Sequence, residues 1–254
     1  MTGLGGLVYG LIDGGAHGFN QPSAITALAV GVLGLVRFVI AEARGRRPMM
    51  PLTLFTTTLL RIALLGGFAF LAAWFATVFL GSLNLQQQLG LPPLLAGLAF
   101  LPSALVSVVG NLASGPLTNR YGTRALVVAG LGSITIGLFL LAVTAPLGSP
   151  WLTSLLIIPV GAGGSIAMPP TTGLVLAAAP ASLAGTASAV FNTGRQVGGA
   201  IAIAVFGALV ADRTQFLAGM QTSLITAASL VLAAVLAATR IRPATTTLPK
   251  EQQP

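Results

Sequence analysis

The chain has 254 residues, 55% of them hydrophobic and only 6% charged, with a mean hydropathy of +0.94. Soluble domains carry about 25% charged residues, so too few groups remain here to face water. The formal net charge of +8 comes from 12 cations scattered between apolar runs, which excludes the clustered, wettable basic face of a nucleic-acid binder.

A polytopic, all-α membrane protein is what remains. There is no cysteine, so disulfides and thiolate metal sites are excluded. One His and four acids give no basis for a metal cage or a paired acid and base. HExxH, Walker and Rossmann glycine patterns are missing, so no enzyme activity and no cofactor are expected. A membrane helix takes roughly 20 mainly apolar residues. Runs of that length without period-2 alternation indicate helices and not barrel strands.

In chain order, residues 1–12 (MTGLGGLVYGLI) lack the basic region of a signal sequence and read as the last part of an earlier helix. Gly14, Gly15 and Gly18 open a first outer loop in which Asp13 and His17 sit in a solvated turn. A complete span is predicted near 20–40, with Arg37 near its arginine-rich end. Residues 48–60 (PMMPLTLFTTTLL) are expected along the inner interface as a short linking helix. The next span, near 62–83, is crowded with Phe68, Phe70, Trp74 and Phe75. Gln86, Gln87 and Gln88 follow at its outer end, as an interfacial polar cluster or as contacts at a substrate mouth.

A third span, near 93–114, leads into GPLTNRYGTR (115–124). Its two arginines interrupt a chain with no other charge between Arg61 and Arg195. The stretch reads as a tight loop. Gly115 would end one helix at a close approach, and Gly122 would allow a left-handed turn before the next helix. Arg120 and Arg124 can each donate several hydrogen bonds to helix-end carbonyls or to a carboxylate. Such a loop can latch one conformation, or it can be an ordinary basic loop.

Spans near 125–145 and 151–173 are separated by PLGSP (146–150). GAGGSIAMPP (161–170) ends the latter. Gly161, Gly163 and Gly164 permit close helix contact, while Pro169 and Pro170 each remove a backbone donor. A gate that bends and a plain packing seam with a proline stop both fit. After APASLAG (179–185) comes a span near 187–210. Ser188, Asn192, Arg195 and Gly199 are spaced i, i+4, i+7 and i+11 there, with Gln196 beside them, so they form one polar stripe. A charge at a helix centre costs about 2.5–3.5 kcal/mol on insertion scales and normally faces a bundle interior. Either Arg195 faces the cavity or packed interior, or it snorkels from a helix that starts later than 187. The last span lies near 217–239, followed by a tail, 241–254, that reads as disordered and solvated.

Alternation through these spans puts Arg44, Arg46, Arg47, Arg61, Arg120, Arg124, Arg240, Arg242 and Lys250 on one side and Arg213 on the other. The positive-inside rule makes the arginine-rich side, and the C-terminus, cytoplasmic in a cell (inner) membrane. The organisation predicted is a linker segment over 1–50, a six-helix bundle over 51–240 and a tail.

The pattern Gly-x-x-x-Asn-Arg-x-Gly-x-Arg over 115–124 resembles the cytoplasmic signature loop of the major facilitator superfamily. The family pattern usually carries Asp where this chain has Asn119, a neutral amide that holds no charge relay. QQQLGLPPLLAGLAFLP (86–102), GAGGSIAMPP and GTASAVFNTGRQVGGAIAIAVFGAL (185–209) follow in the order of its fourteen-span, EmrB/QacA-type drug:proton antiporters. LIDGGAHGF (11–19) and FVIAEARGRRPMMPL (38–52) are similar to the linker helices of that branch. The resemblance implies a second half of such an exporter, with the N-terminal half lying outside this chain. It implies a small lipophilic or cationic substrate, a lipid bilayer as partner, and alternating access between two six-helix bundles. It also places the proton-coupling carboxylates in the missing half. The acids here, Asp13, Glu42, Asp212 and Glu251, all fall in loops, helix ends or the tail. A remnant that does not transport, or a half that pairs with a separate chain, is the alternative.

Overall fold

Long apolar runs leave each backbone N–H only its own helix as a partner, and the computed structural model accordingly consists of helices. It describes residues 2–17, 21–44 and 55–241, and no strand occurs among them. The helices are α1 (Thr2–His17), α2 (Pro22–Arg44), α3 (Thr58–Leu83), α4 (Pro93–Leu98), α5 (Leu101–Tyr121), α6 (Thr123–Thr144), α7 (Pro150–Ala178), α8 (Ala184–Leu209) and α9 (Phe216–Ala238). The linking helix expected over 48–60 falls largely outside the described residues, as does the tail beyond Ile241.

Among the described residues, five stretches are long and apolar enough to cross a membrane: Thr58–Gln88, Pro93–Tyr121, Thr123–Leu147, Pro150–Ala178 and Arg213–Ala238. Seven spans were expected. Helix α8 has the length, but Asn192, Arg195 and Gln196 dilute its hydropathy. In α2 the described apolar stretch is Pro22–Gly34. The first loop is also corrected. Asp13, Gly14, Gly15 and His17 belong to α1, which continues past residue 12, and only Gly18 falls outside the described residues. Ser23 Oγ donates to Asp13 Oδ2 at 2.5 Å, closing the α1–α2 hairpin. Gly6 and Gly31 let those two helices touch.

The core follows a crossed arrangement. Helix α3 packs on α8 and α9, while α7 packs on α5 and α6, and α6 meets α9. With α4 and α5 taken as one span, α3–α6 and α7–α9 form two three-span units, and each buries its first helix against the second and third spans of the other. An odd number of spans per unit inverts the second unit relative to the first, the pattern of nested inverted repeats. Helix α1 attaches the hairpin to α8.

Lipid offers no hydrophobic drive between helices, so small residues and hydroxyls at the seams do the joining. In α5, Ser103, Ser107, Gly110 and Ser114 recur at i, i+4, i+7 and i+11, facing Gly161 and Ser165 of α7. Ser103 donates to the Ile157 carbonyl at 3.1 Å and Ser133 of α6 to that of Pro159 at 2.8 Å. Between α3 and α8 the seam alternates glycine with rings. Phe191 lies against Gly67, Phe68 against Gly198, and Phe75 against Gly199.

The span expected over 93–114 is interrupted after Leu98 and runs on to Tyr121. Pro102 has no N–H to give to Leu98, so the ladder breaks there. Ser154 of α7 donates to the freed region at the Ala99 carbonyl, 2.7 Å away. Helix α3 ends in a wide π turn, Asn84–Gln88, which turns Gln86, Gln87 and Gln88 outward, where all three are exposed.

Candidate transport site

The signature stretch is not a loop. Helix α5 continues through Gly115, Pro116 and Asn119 to Tyr121, and α6 begins at Thr123, so the connection is Gly122 alone. Gly122 has φ 84° and ψ 154°, a region essentially reserved for glycine. It is a sharper reversal than the left-handed turn expected. Gly115 is likewise corrected: a Cβ there would meet nothing within 4 Å, so no helix approaches it. Asn119, Arg120 and Arg124 are exposed, and the Arg120 guanidinium carbon lies 5.3 Å from the centre of the Tyr121 ring.

A cavity of about 1220 Å³ opens beside this turn. Leu59 at the start of α3, Asn119 and Arg124 at the turn, Pro169 and Pro170 of α7, and Thr239 at the end of α9 all line it. Arg61, Arg120, Arg124 and Arg240 therefore share one end of the bundle. Arg213 lies in the short turn just before the 23-residue α9, at the other end, about 35 Å away along the helix. The signature turn and the proline pair, far apart in sequence, thus form one site.

Helix α7 does not stop at the prolines. It runs unbroken through Pro159, Pro169 and Pro170 to Ala178, correcting the predicted end at 173. Pro170 cannot donate to the Ile166 carbonyl four residues back, and Ser114 Oγ of α5 takes that place at 2.9 Å. A neighbouring hydroxyl replacing a lost helical donor is how membrane helices tolerate proline. The three glycines of GAGG in α7 point three ways. Gly161 admits Ser103 and Ser107 of α5, Gly163 admits Gly130 of α6, and Gly164 admits the Phe70 ring of α3. GAGG is a junction for three helices.

The polar stripe on α8 divides. Helix α8 starts at Ala184, earlier than predicted, so Arg195 lies about 16 Å along it. That removes the late start on which the snorkelling reading depends. Arg195 Nε is buried and has no hydrogen-bond partner among the described residues. Its guanidinium carbon sits 5.8 Å from the Phe70 ring centre and 5.6 Å from that of Phe191. Cation–π contact thus stands where an ion pair would be expected. Gly199 is buried and Ser188 half-buried, while Asn192 and Gln196 are exposed. At about 100° per residue, Asn192 and Gln196 are the stripe members turned furthest from Arg195. Phe70 touches both Arg195 and Gly164, so one ring joins α8 to α7. Sequence reasoning missed Phe70 and Phe191 as partners of Arg195. It also missed Ser114, though the serine spacing in α5 was there to be read.

Outside the membrane segments, Asp212 turns back on its own loop. The Thr214 hydroxyl donates to Oδ1 at 2.6 Å and the Thr214 N–H at 2.8 Å. These bonds hold its carboxyl below the ordinary carboxylate value. No cluster of His, Asp or Glu able to hold a metal occurs among the described residues.

The profile of the Major Facilitator Superfamily matches residues 2–203. The chain is 30% identical over 211 residues to the methylenomycin A resistance protein of Bacillus subtilis, covering 83% of this chain and 45% of that one. It is 33% identical over 215 residues to the multidrug resistance protein Stp of Mycobacterium tuberculosis, with 83% and 39% covered. To the tetracenomycin C resistance and export protein of Streptomyces glaucescens it is 31% identical over 211 residues, with 82% and 38% covered. The chain thus spans less than half the length of these relatives. On this match and on its apolar, membrane-crossing helices, the chain belongs to the major facilitator superfamily.

Proposed function

We propose that this chain supplies the C-terminal half of a secondary transporter that expels small lipophilic or cationic molecules by alternating access. Proton coupling runs through carboxylates outside this chain, and the arginine-rich end and C-terminus face the cytoplasm of the cell membrane. The observation that carries this reading is the superfamily match over residues 2–203 together with relatives named for drug resistance and export.

The geometry supports a division of labour. Helix α7 is the pivot, because its glycines seat three neighbours and its prolines weaken its own ladder. The signature turn lines the same cavity as the proline pair of that helix, where it is placed to latch it in another conformation. Arg195, through Phe70, links α8 to the same pivot, so its role is to support packing and gating.

The test is drug and dye efflux in a pump-deficient host carrying the natural locus, with and without its upstream sequence. Efflux is expected with the full locus and lost with Arg195→Leu, while membrane insertion of the variant is unchanged. Wild-type efflux in Arg195→Leu would refute the role given to that residue. No efflux from any form of the locus would refute the transport reading.

A second reading has one observation in its favour. Only 17% of the spanning window of Pro93–Tyr121 is buried within the chain, and α8 leaves Asn192 and Gln196 uncovered. Such faces suit a second bundle supplied by a separate chain. A separate upstream gene for that bundle supports a two-chain assembly, and an in-frame continuation supports a single one.

A further inference from the structure

The cavity at the arginine-rich end has a chemistry that latching does not use. Its volume, about 1220 Å³, exceeds the roughly 300–1,000 Å³ of small-molecule pockets. Asn119, Tyr121, Thr123 and Arg124 line its polar side, and none of these side chains hydrogen-bonds to another described residue. Four sets of donors within six residues are therefore unspent. No acid lines the cavity, and Arg61, Arg120 and Arg240 each lie within two residues of a lining position. The lining also has an apolar part, with Val128, Pro170, Leu174 and Ala177.

Unspent donors around a planar guanidinium call for an oxyanion with several acceptors, and phosphate fits that fork. An apolar wall next to it calls for hydrocarbon on the same molecule. Basic pockets between helices at the inner face meet one abundant molecule of this kind, the anionic lipid of that leaflet.

We propose that this cavity is a binding site for an anionic phospholipid, whose phosphate rests on Arg124, Asn119 and Thr123 and whose first acyl carbons lie along Val128, Leu174 and Ala177.

The lipid would tie the α5–α6 turn to the ends of α7 and α9, so occupancy stabilises the folded chain by mass action. The test uses the full chain purified in a neutral detergent. Thermal unfolding is followed while phosphatidylglycerol is titrated against phosphatidylcholine with identical acyl chains. Inorganic phosphate and glycerol 3-phosphate form separate arms. A saturable rise in Tm is expected with phosphatidylglycerol alone. Arg124→Gln should weaken its apparent affinity at least about tenfold, the loss of one charge-assisted contact. Gly173→Leu gives a second, independent variant. Gly173 lines the cavity, and a Cβ there meets nothing within 4 Å. The larger side chain fills the space without parting helices, so the lipid response should vanish while the lipid-free Tm holds. Arg213→Gln, at the far end, should leave the affinity unchanged. Equal responses to the two lipids, a full shift from free phosphate, or wild-type affinity in both cavity variants would overturn the proposal.

Discussion

Gly163→Ala tests whether glycine contact, and not apolar burial, joins α6 to α7. A Cβ at Gly163 would press on the Gly130 carbonyl oxygen and stand 2.8 Å from Ile134 Cγ1 and 3.1 Å from Ile134 N. Ordinary contact begins near 3.4 Å. Helix α6 must therefore retreat by about 0.6 Å at the Ile134 side chain (3.4 less 2.8 Å), and further at the carbonyl. Two of the three obstructing atoms are backbone and cannot rotate away. Overpacking of this kind costs about 1–3 kcal/mol, offset by about 1 kcal/mol from the better helix propensity of Ala. The net loss should be about 0–2 kcal/mol. Gly132→Ala, on α6 where a Cβ meets nothing within 4 Å, keeps only the propensity gain. It should stabilise by about 0.5–1 kcal/mol. The assay is unfolding of both variants in mixed micelles with rising dodecyl sulfate, followed by circular dichroism. Equal stability of the two variants would refute the reasoning, because composition alone would then explain the fold.

Ser114→Ala should cost about 0.6 kcal/mol in the wild-type background, the mean for such bonds in membranes, and less beside Pro170→Ala, which returns a donor to Ile166; a double-mutant cycle without coupling would count against the substitution of one donor for the other. Gly122→Ala should cost about 1–3 kcal/mol, because φ 84° with ψ 154° suits no side chain; Gly122→Asn should rescue nothing, and a wild-type unfolding midpoint for either would be incompatible with the one-residue turn. The bonds from Thr214 lower the Asp212 pKa, so they favour the folded chain above the ordinary value of 3.8 and are lost as pH falls through the lowered value. Thr214→Ala should return the titration toward 3.8, read from the carboxyl carbon chemical shift, and an unmoved titration would contradict that cause.

Helix content was legible because apolar runs in lipid have few solutions, and Gly122 was legible as a reversal because a side chain is so costly there. The limits of elements were not. Gly115 read as the end of a helix, yet α5 passes through it and through Pro116, since a proline deprives its helix of a single bond. GAGGSIAMPP read as the end of its helix, yet α7 continues, because the replacement donor, Ser114, sits on another helix and is invisible to local propensity. The stripe on α8 was right in spacing and too uniform in meaning. Periodicity places Asn192 and Gly199 on one side of a helix, but only the neighbouring Phe75 decides that Gly199 is covered. Arg195 was legible as an anomaly. Its aromatic partners were not, because Phe70 lies on α3, and no local pattern reports a tertiary contact of that kind. The gathering of signature turn and prolines around one cavity was likewise a product of the fold.

The membrane path with its cations held at one end underlies every other inference, and the absence of cysteine makes it directly measurable. Single cysteines at Thr123, Thr239 and Thr214 should be labelled in sealed vesicles by a membrane-impermeant thiol reagent. Positions 123 and 239 are expected to react from one side of the membrane and 214 from the other; labelling of 123 and 239 from opposite sides, or of all three from the same side, would contradict the account.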